Sequence, residues 1–180
     1  MSFFPPREPF VQAACAALLT LLVCGCDGGR PEAGDRLQEE FRQLTKDFNQ
    51  ETGARPISVV ELTDRLREDR KVVLLDTRER QEFVVGHLDR AILLPPSKVA
   101  TDTLELAGDP LVVTYCTAGY RSGLAATALE ERLGIKVYSL SGGIIDWFNN
   151  GGRVVDEEGR PVDKVHTYND DWKKYLIERR

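Results

Sequence analysis

The 180-residue chain reads as an α/β fold built on a mostly parallel five-stranded sheet flanked by helices, and three observations predict it. From Ile57 onward, short apolar runs alternate with helical patterns, the order produced when each strand is followed by a crossover helix. Two of those runs, VVLL at 72–75 and LVVTY at 111–115, are unbroken rather than alternating, which marks strands covered on both faces. Hydrophobic residues make up 42% and charged residues 29%, so a wholly disordered, polytopic-membrane or fibrous chain is set aside.

Residues 1–25 read as a signal peptide, because Phe10–Val23 is an uncharged apolar stretch shorter than the ~20 residues a membrane-spanning helix needs. The stretch ends in Val23-Cys24-Gly25-Cys26, which resembles the bacterial lipoprotein signal. That resemblance implies cleavage before Cys26, a lipid on Cys26, and a periplasm-facing protein exported to the bacterial cell envelope and held at a membrane by its anchor. Residues 26–34 then form a Gly- and Pro-containing tether. In 35–55, Asp35 and Gln38 resemble a capping box, and Leu37, Phe41, Leu44 and Phe48 lie on one stripe of a helix ending near Gly53. That stripe is expected to pack on the domain core.

The domain proper is placed at 56–155. Strands are predicted over Ile57–Val59, Val72–Leu75, Ala91–Leu94, Leu111–Tyr115 and Val137–Leu140. Helices are predicted near Leu62–Glu68, Glu79–Val85, Ser97–Leu106, Ser122–Leu133 with Gly134 as its stop, and from Ile144. The tail, 156–180, is polar, turns at Asp156–Gly159 and Arg160–Pro161, and closes with a short helix over Asp170–Ile177.

The four cysteines are placed unevenly: Cys15, Cys24 and Cys26 crowd the leader, and Cys116 stands alone. With the leader removed and Cys26 alkylated, Cys116 is the one free thiol, so it has no internal disulfide partner. The net charge of −5 and the absence of any Lys/Arg run argue against nucleic acid. One thiol and two separated histidines, His87 and His166, offer no metal site, and neither a nucleotide-binding Gly loop nor a Ser/His/Asp arrangement implies a cofactor.

Cys116-Thr117-Ala118-Gly119-Tyr120-Arg121 joins a buried strand to a helix beginning at Ser122. Cys116 therefore sits at the carboxyl end of a parallel strand and faces a helix N-terminus, where backbone N–H groups and the helix dipole favour a thiolate. Gly119 permits the tight curvature of such a turn, and Arg121 adds a cation able to hold an anionic sulfur species.

Cys116 to Ser122 resembles the active-site loop of single-domain rhodanese-like sulfurtransferases. Leu75-Asp76-Thr77-Arg78-Glu79 with Glu82-Phe83, Gly86-His87-Leu88 and Ala91-Ile92 is similar to that family's first signature, and Ser141-Gly142-Gly143-Ile144 with Trp147 to its last. The resemblance implies a three-layer fold. It also implies that Cys116 takes the outer sulfur of a small sulfur-containing anion such as thiosulfate or polysulfide, and passes it from a persulfide to a thiol or cyanide. An envelope redox protein is a further expected partner.

Thr117, Ala118, Gly119, Tyr120, Arg121 and Ser122 form the expected anion-binding loop, and Asp76 and Arg78 support it as an internal pair or as holders of loop backbone. Tyr120 rims the site or packs; His87 is expected to bond backbone, His166 to lie at the surface, and Trp147 to be a core aromatic. Ala118 leaves the loop without the cation some family members carry there. Two other functions share the residues: a sulfur carrier without turnover, and a cysteine phosphatase or arsenate reductase. The second is disfavoured because only four residues separate Cys116 from Arg121, a loop too tight for a tetrahedral oxyanion.

Overall fold

The computed structural model describes residues 33–68, 71–100, 104, 106 and 108–177. The segment read as a signal peptide, Cys26 with its expected lipid, and all but two residues of the expected tether lie outside the described residues. Ala33 and Gly34, placed in the tether, already belong to the first helix, α1 (Ala33–Thr52), so Asp35 lies in its first turn instead of capping it. Leu37, Phe41 and Phe48 of the apolar stripe pack with Ala118, Ile145 and Tyr175, the core contact expected of them. At its end α1 runs against the later helix through a glycine: a Cβ on Gly123 would lie 2.4 Å from Thr52 Oγ1.

Strand β1 (Arg55–Ile57) comes earlier than predicted. Ser58 is the reason: its Oγ accepts from the Glu61 N–H at 3.1 Å and starts helix α2 (Val59–Arg67), so Val59 is helical. There follow β2 (Val72–Asp76), α3 (Arg80–Phe83), the two-residue β3 (His87–Leu88), which the sequence pattern does not suggest, and β4 (Ile92–Leu93), which lies within the strand predicted over Ala91–Leu94. Of the helix predicted over Ser97–Leu106, the described residues form one 3-10 turn, Pro96–Lys98, and Leu104 and Leu106 carry no regular structure, while 101–103 and 105 lie outside the described residues.

β5 (Leu111–Tyr115), α4 (Tyr120–Leu133), β6 (Val137–Leu140) and α5 (Gly143–Asn149) follow as expected, with both helices starting slightly early. Gly134 stops α4 in the left-handed region at φ 66°. β7 (Val154–Val155) pairs antiparallel with β3. The turn at Asp156–Gly159 is present, its Asp156 Oδ1 accepting from the N–H groups of Glu158 and Arg160. The closing helix is shorter than expected, α6 (Asp170–Lys173), and Asn169 caps it.

The main sheet has the order β1-β6-β5-β2-β4 with every pairing parallel, so β5 is its central strand. Along β5, Val113 and Tyr115 point into one core with Leu62, Ile144 and Trp147, and Val112 points into the other with Leu75, Ala126 and Leu129. Covering both faces in this way makes the three layers and explains the unbroken apolar runs. Each such fully buried side chain contributes about 1.5–3 kcal/mol. Among the described residues, no helix is long and apolar enough to cross a membrane.

Candidate active site

The central strand delivers its carboxyl end, Tyr115, to a four-residue loop, and α4 begins at Tyr120. The loop can bend so sharply because Gly119 sits at φ 116°, a region closed to most side chains. That bend turns the Gly119 N–H back on the cysteine, and it donates to Cys116 Sγ at 3.2 Å. Below the sulfur, Ser122 Oγ stands 3.7 Å from Sγ, 3.0 Å from the Gly119 carbonyl oxygen and 2.9 Å from Ser139 Oγ. The Cys116 residue is buried, yet it lines a cavity of about 200 Å³.

A second glycine turn carries the loop from beneath. Gly142 and Gly143 take φ of 75° and 55°, which aims the first amides of α5 upward. Ile144 N–H donates to the Cys116 carbonyl at 2.9 Å and Ile145 N–H to that of Thr117 at 3.2 Å. A Cβ on Gly143 would lie 2.4 Å from the Cys116 carbonyl oxygen, so only glycine allows this approach.

Arg121 Nη1 and Nη2 donate to the two carboxylate oxygens of Glu82, each at 2.8 Å, and Nη2 also reaches Thr117 Oγ1 at 2.9 Å. Thr117 Oγ1 in turn donates to Glu82 at 3.1 Å. Arg121, expected to hold an anionic sulfur species, is thus also paired with Glu82, which is buried at 1% exposure. Burial pushes the Glu82 carboxyl upward, but its bonds from Arg121 and the Glu79 N–H prevail and hold it below the usual glutamate value. Burial likewise opposes the Arg121 charge, and the Glu82 hydrogen bonds together with the Cys116 and Glu82 charges outweigh it and raise its pKa.

Asp76 and Arg78 are the internal pair expected of them, 2.6 Å apart and both fully buried. Arg78 Nη2 also donates to the Gly86 carbonyl at 2.9 Å, which ties β2 to the turn before β3. Among the described residues its Nη1 has no hydrogen-bond acceptor. His87 bonds backbone, Nδ1 lying 3.1 Å from the Phe83 carbonyl, and burial lowers its pKa. Trp147 is a core aromatic whose indole N–H donates to the Arg153 carbonyl at 2.9 Å. His166 is half-buried, its Nδ1 accepting from the Tyr168 N–H.

Tyr120 rims the cavity, with its hydroxyl donating to Glu51 at 3.0 Å. Ala118 packs into the small core beneath α1. Sequence reasoning missed Glu82 as the partner of Arg121, and missed three cavity walls: Phe48 from α1, and Tyr168 and Trp172 from the tail. Among the described residues, no group of three His, Cys, Asp or Glu could hold a metal.

A family profile described as a Rhodanese-like domain matches residues 58–150. The chain is 35% identical over 98 residues to a sulfurtransferase of Allochromatium vinosum, a stretch covering 54% of this chain and 92% of that one. It is also 37% identical over 157 residues to the tRNA uridine(34) hydroxylase of Cupriavidus metallidurans, covering 81% of this chain and 49% of that protein. A like-named protein of Erwinia tasmaniensis is 34% identical over 101 residues, and the chain spans only 28% of its length. Among solved structures, a rhodanese-related protein of Thermoplasma volcanium superposes with TM-score 0.51 at 29% identity, covering 57% of this chain and 99% of that one. A thiosulfate sulfurtransferase of Pseudomonas aeruginosa gives TM-score 0.55 at 20% identity, covering 77% of this chain and 26% of that one, a likeness of fold.

Proposed function

This chain belongs to the Rhodanese-like domain family, and from that premise we propose that it is a sulfurtransferase working through a persulfide on Cys116. The Cys116 thiolate attacks the outer sulfur of a donor such as thiosulfate; the donor S–S bond breaks, its electron pair leaves with sulfite, and Cys116 carries the sulfane sulfur. A thiolate or cyanide then takes that sulfur and the Cys116 thiolate returns. The observation that carries the reading is the Gly119 N–H, 3.2 Å from Sγ, at the floor of a cavity that admits a second sulfur. Donors already fixed in place stabilise an anion without reorganising when charge arrives.

Arg121, spent on Glu82, serves this chemistry by fixing Thr117 and the start of α4. The match to tRNA hydroxylases covers only part of those proteins, and a net charge of −5 offers nothing to hold RNA. The leader adds to the proposal an exported protein anchored by a lipid on Cys26; Cys26→Ala should leave the precursor uncleaved.

The test is intact mass after incubation with thiosulfate or polysulfide. One sulfur atom should appear on the peptide holding Cys116 and be absent in Cys116→Ser; an unmodified wild-type peptide under every donor overturns the reading. Release of that sulfur to cyanide over many turnovers identifies a catalyst, and a single stoichiometric release identifies a carrier.

A further inference from the structure

Three of the eight described residues that line the Cys116 cavity, all aromatic, lie outside the family match. Phe48 comes from α1, Tyr168 and Trp172 come from the tail, and the match ends at 58 and 150. Phe48 stands edge-on to Tyr120 with centroids 5.3 Å apart and lies 6.1 Å from Trp172, so three aromatic rings converge above the thiol. A fourth, Tyr168, covers the Arg121 guanidinium at 4.9 Å. Among the described residues Arg121 is the one charged residue lining the cavity, and Glu82 already balances it. Beyond the Gly119 N–H at the sulfur, a charged substituent on an acceptor would give up its water here without gaining a counter-charge.

An apolar group entering the same space gives up only unfavourable hydration. The volume of about 200 Å³ compares with about 30 Å³ for a water molecule in the liquid, and falls below the ~300–1,000 Å³ of drug-sized sites. It holds a short alkyl chain or a single ring. We propose that the vestibule built by Phe48, Tyr168 and Trp172 selects a small organic thiol with an apolar substituent as the sulfur acceptor, in preference to charged thiols. This rests on the sulfurtransferase reading of Cys116.

The transfer balances within the two partners. The acceptor thiolate R–S⁻ attacks the outer sulfur of Cys116–S–S⁻, the bond between the two sulfurs of that persulfide breaks, and its electron pair stays on Sγ. The products are R–S–S⁻ and the Cys116 thiolate, and no external oxidant or reductant takes part. During the attack, R lies against the aromatic walls.

The experiment uses persulfide-loaded full-length protein and the acceptors ethanethiol, propanethiol, butanethiol, phenylmethanethiol and 2-mercaptoethanesulfonate. The alkanethiols differ little in acidity, so the trend in kcat/KM reports burial of R. It should rise roughly three- to fourfold per added methylene until the space is full, with the sulfonate slowest. Trp172→Ala and Tyr168→Gly should each flatten the rise to less than twofold per methylene. Tyr168 is an exposed residue at φ 69°, a conformation glycine accepts readily, so that variant keeps the test decisive if Trp172→Ala misfolds. A flat series in the wild type, or a slope unchanged in the folded variants, overturns the vestibule. Failure of the persulfide to form at all overturns the sulfurtransferase reading instead.

Discussion

Arg121 meets Glu82 through two parallel bonds of 2.8 Å, one from each terminal nitrogen to each carboxylate oxygen. The pair joins α3, on one side of β2, to the first turn of α4, and thereby fixes the loop between. Removing one partner of a fully buried pair costs about 3–5 kcal/mol. Arg121 retains 25% side-chain exposure, so Glu82→Ala is expected to cost less, about 2–3 kcal/mol, and to slow persulfide formation at least tenfold. Urea unfolding and single-turnover mass kinetics check both, and a variant of wild-type stability with full rate would sink the positioning role.

The same carboxylate has a pH signature. Its folded pKa is lowered, so its contribution is complete above the ordinary glutamate value of about 4.3 and is lost as pH falls through the lowered one. Glu82→Gln should therefore lose stability less steeply than wild type in that acid window, read as melting temperature against pH.

His87 acts in a milder window. Burial lowers its pKa, and its ring stacks on Phe83 with centroids 3.6 Å apart, so the fold favours neutral imidazole. Its contribution is complete above about pH 6.5, where the unfolded chain is neutral too, and is lost as pH falls from there through the lowered folded value. His87→Gln should flatten the decline in melting temperature between about pH 6.5 and 5; an unchanged slope would assign that decline elsewhere.

Asp76 and Arg78 are both fully buried, and the guanidinium has nowhere to meet water. Asp76→Ala strands that charge and should cost about 3–5 kcal/mol, whereas the double variant Asp76→Leu/Arg78→Met should recover much of it. Denaturant midpoints of the two variants and wild type decide this; equal losses in both would mean that packing, not charge, is what matters there.

Gly143→Ala combines a left-handed backbone penalty with a contact at 2.4 Å on the Cys116 carbonyl oxygen. Expected losses are about 2–4 kcal/mol of stability and most thiol reactivity toward a disulfide reagent. Gly134→Ala is a control, because its Cβ would meet nothing within 4 Å although it shares the positive φ. It should lose stability while keeping thiol reactivity.

Leu111–Tyr115 and Val137–Leu140 were legible because unbroken apolar runs have one good explanation, a strand covered on both faces. Cys116 and its loop were legible because they are contiguous in sequence. The β1 boundary was misread although Ser58 and Glu61 carried the capping signal, which outweighed the β-branched Val59 and Val60. Glu82 lies 39 positions from Arg121, and Phe48, Tyr168 and Trp172 converge from both sides of the domain. Periodicity reports only which face of an element is apolar, so contacts made by folding stay invisible to it.

The two flanking segments are also buckled to each other. Phe41 stacks on Tyr175 at 4.9 Å, the Gln38 amide donates to the Tyr175 carbonyl at 3.2 Å, and Lys174 meets Glu40 at 3.0 Å. None of these three contacts involves the main sheet, and α1 and the tail both also pack on Ala118 and Ile145, so the two segments are expected to open together at a free energy below that of global unfolding. Amides of the two segments should exchange with a common protection factor. On that expectation the cover over the thiol would come off by a sub-global event while β5 and its neighbours stay intact.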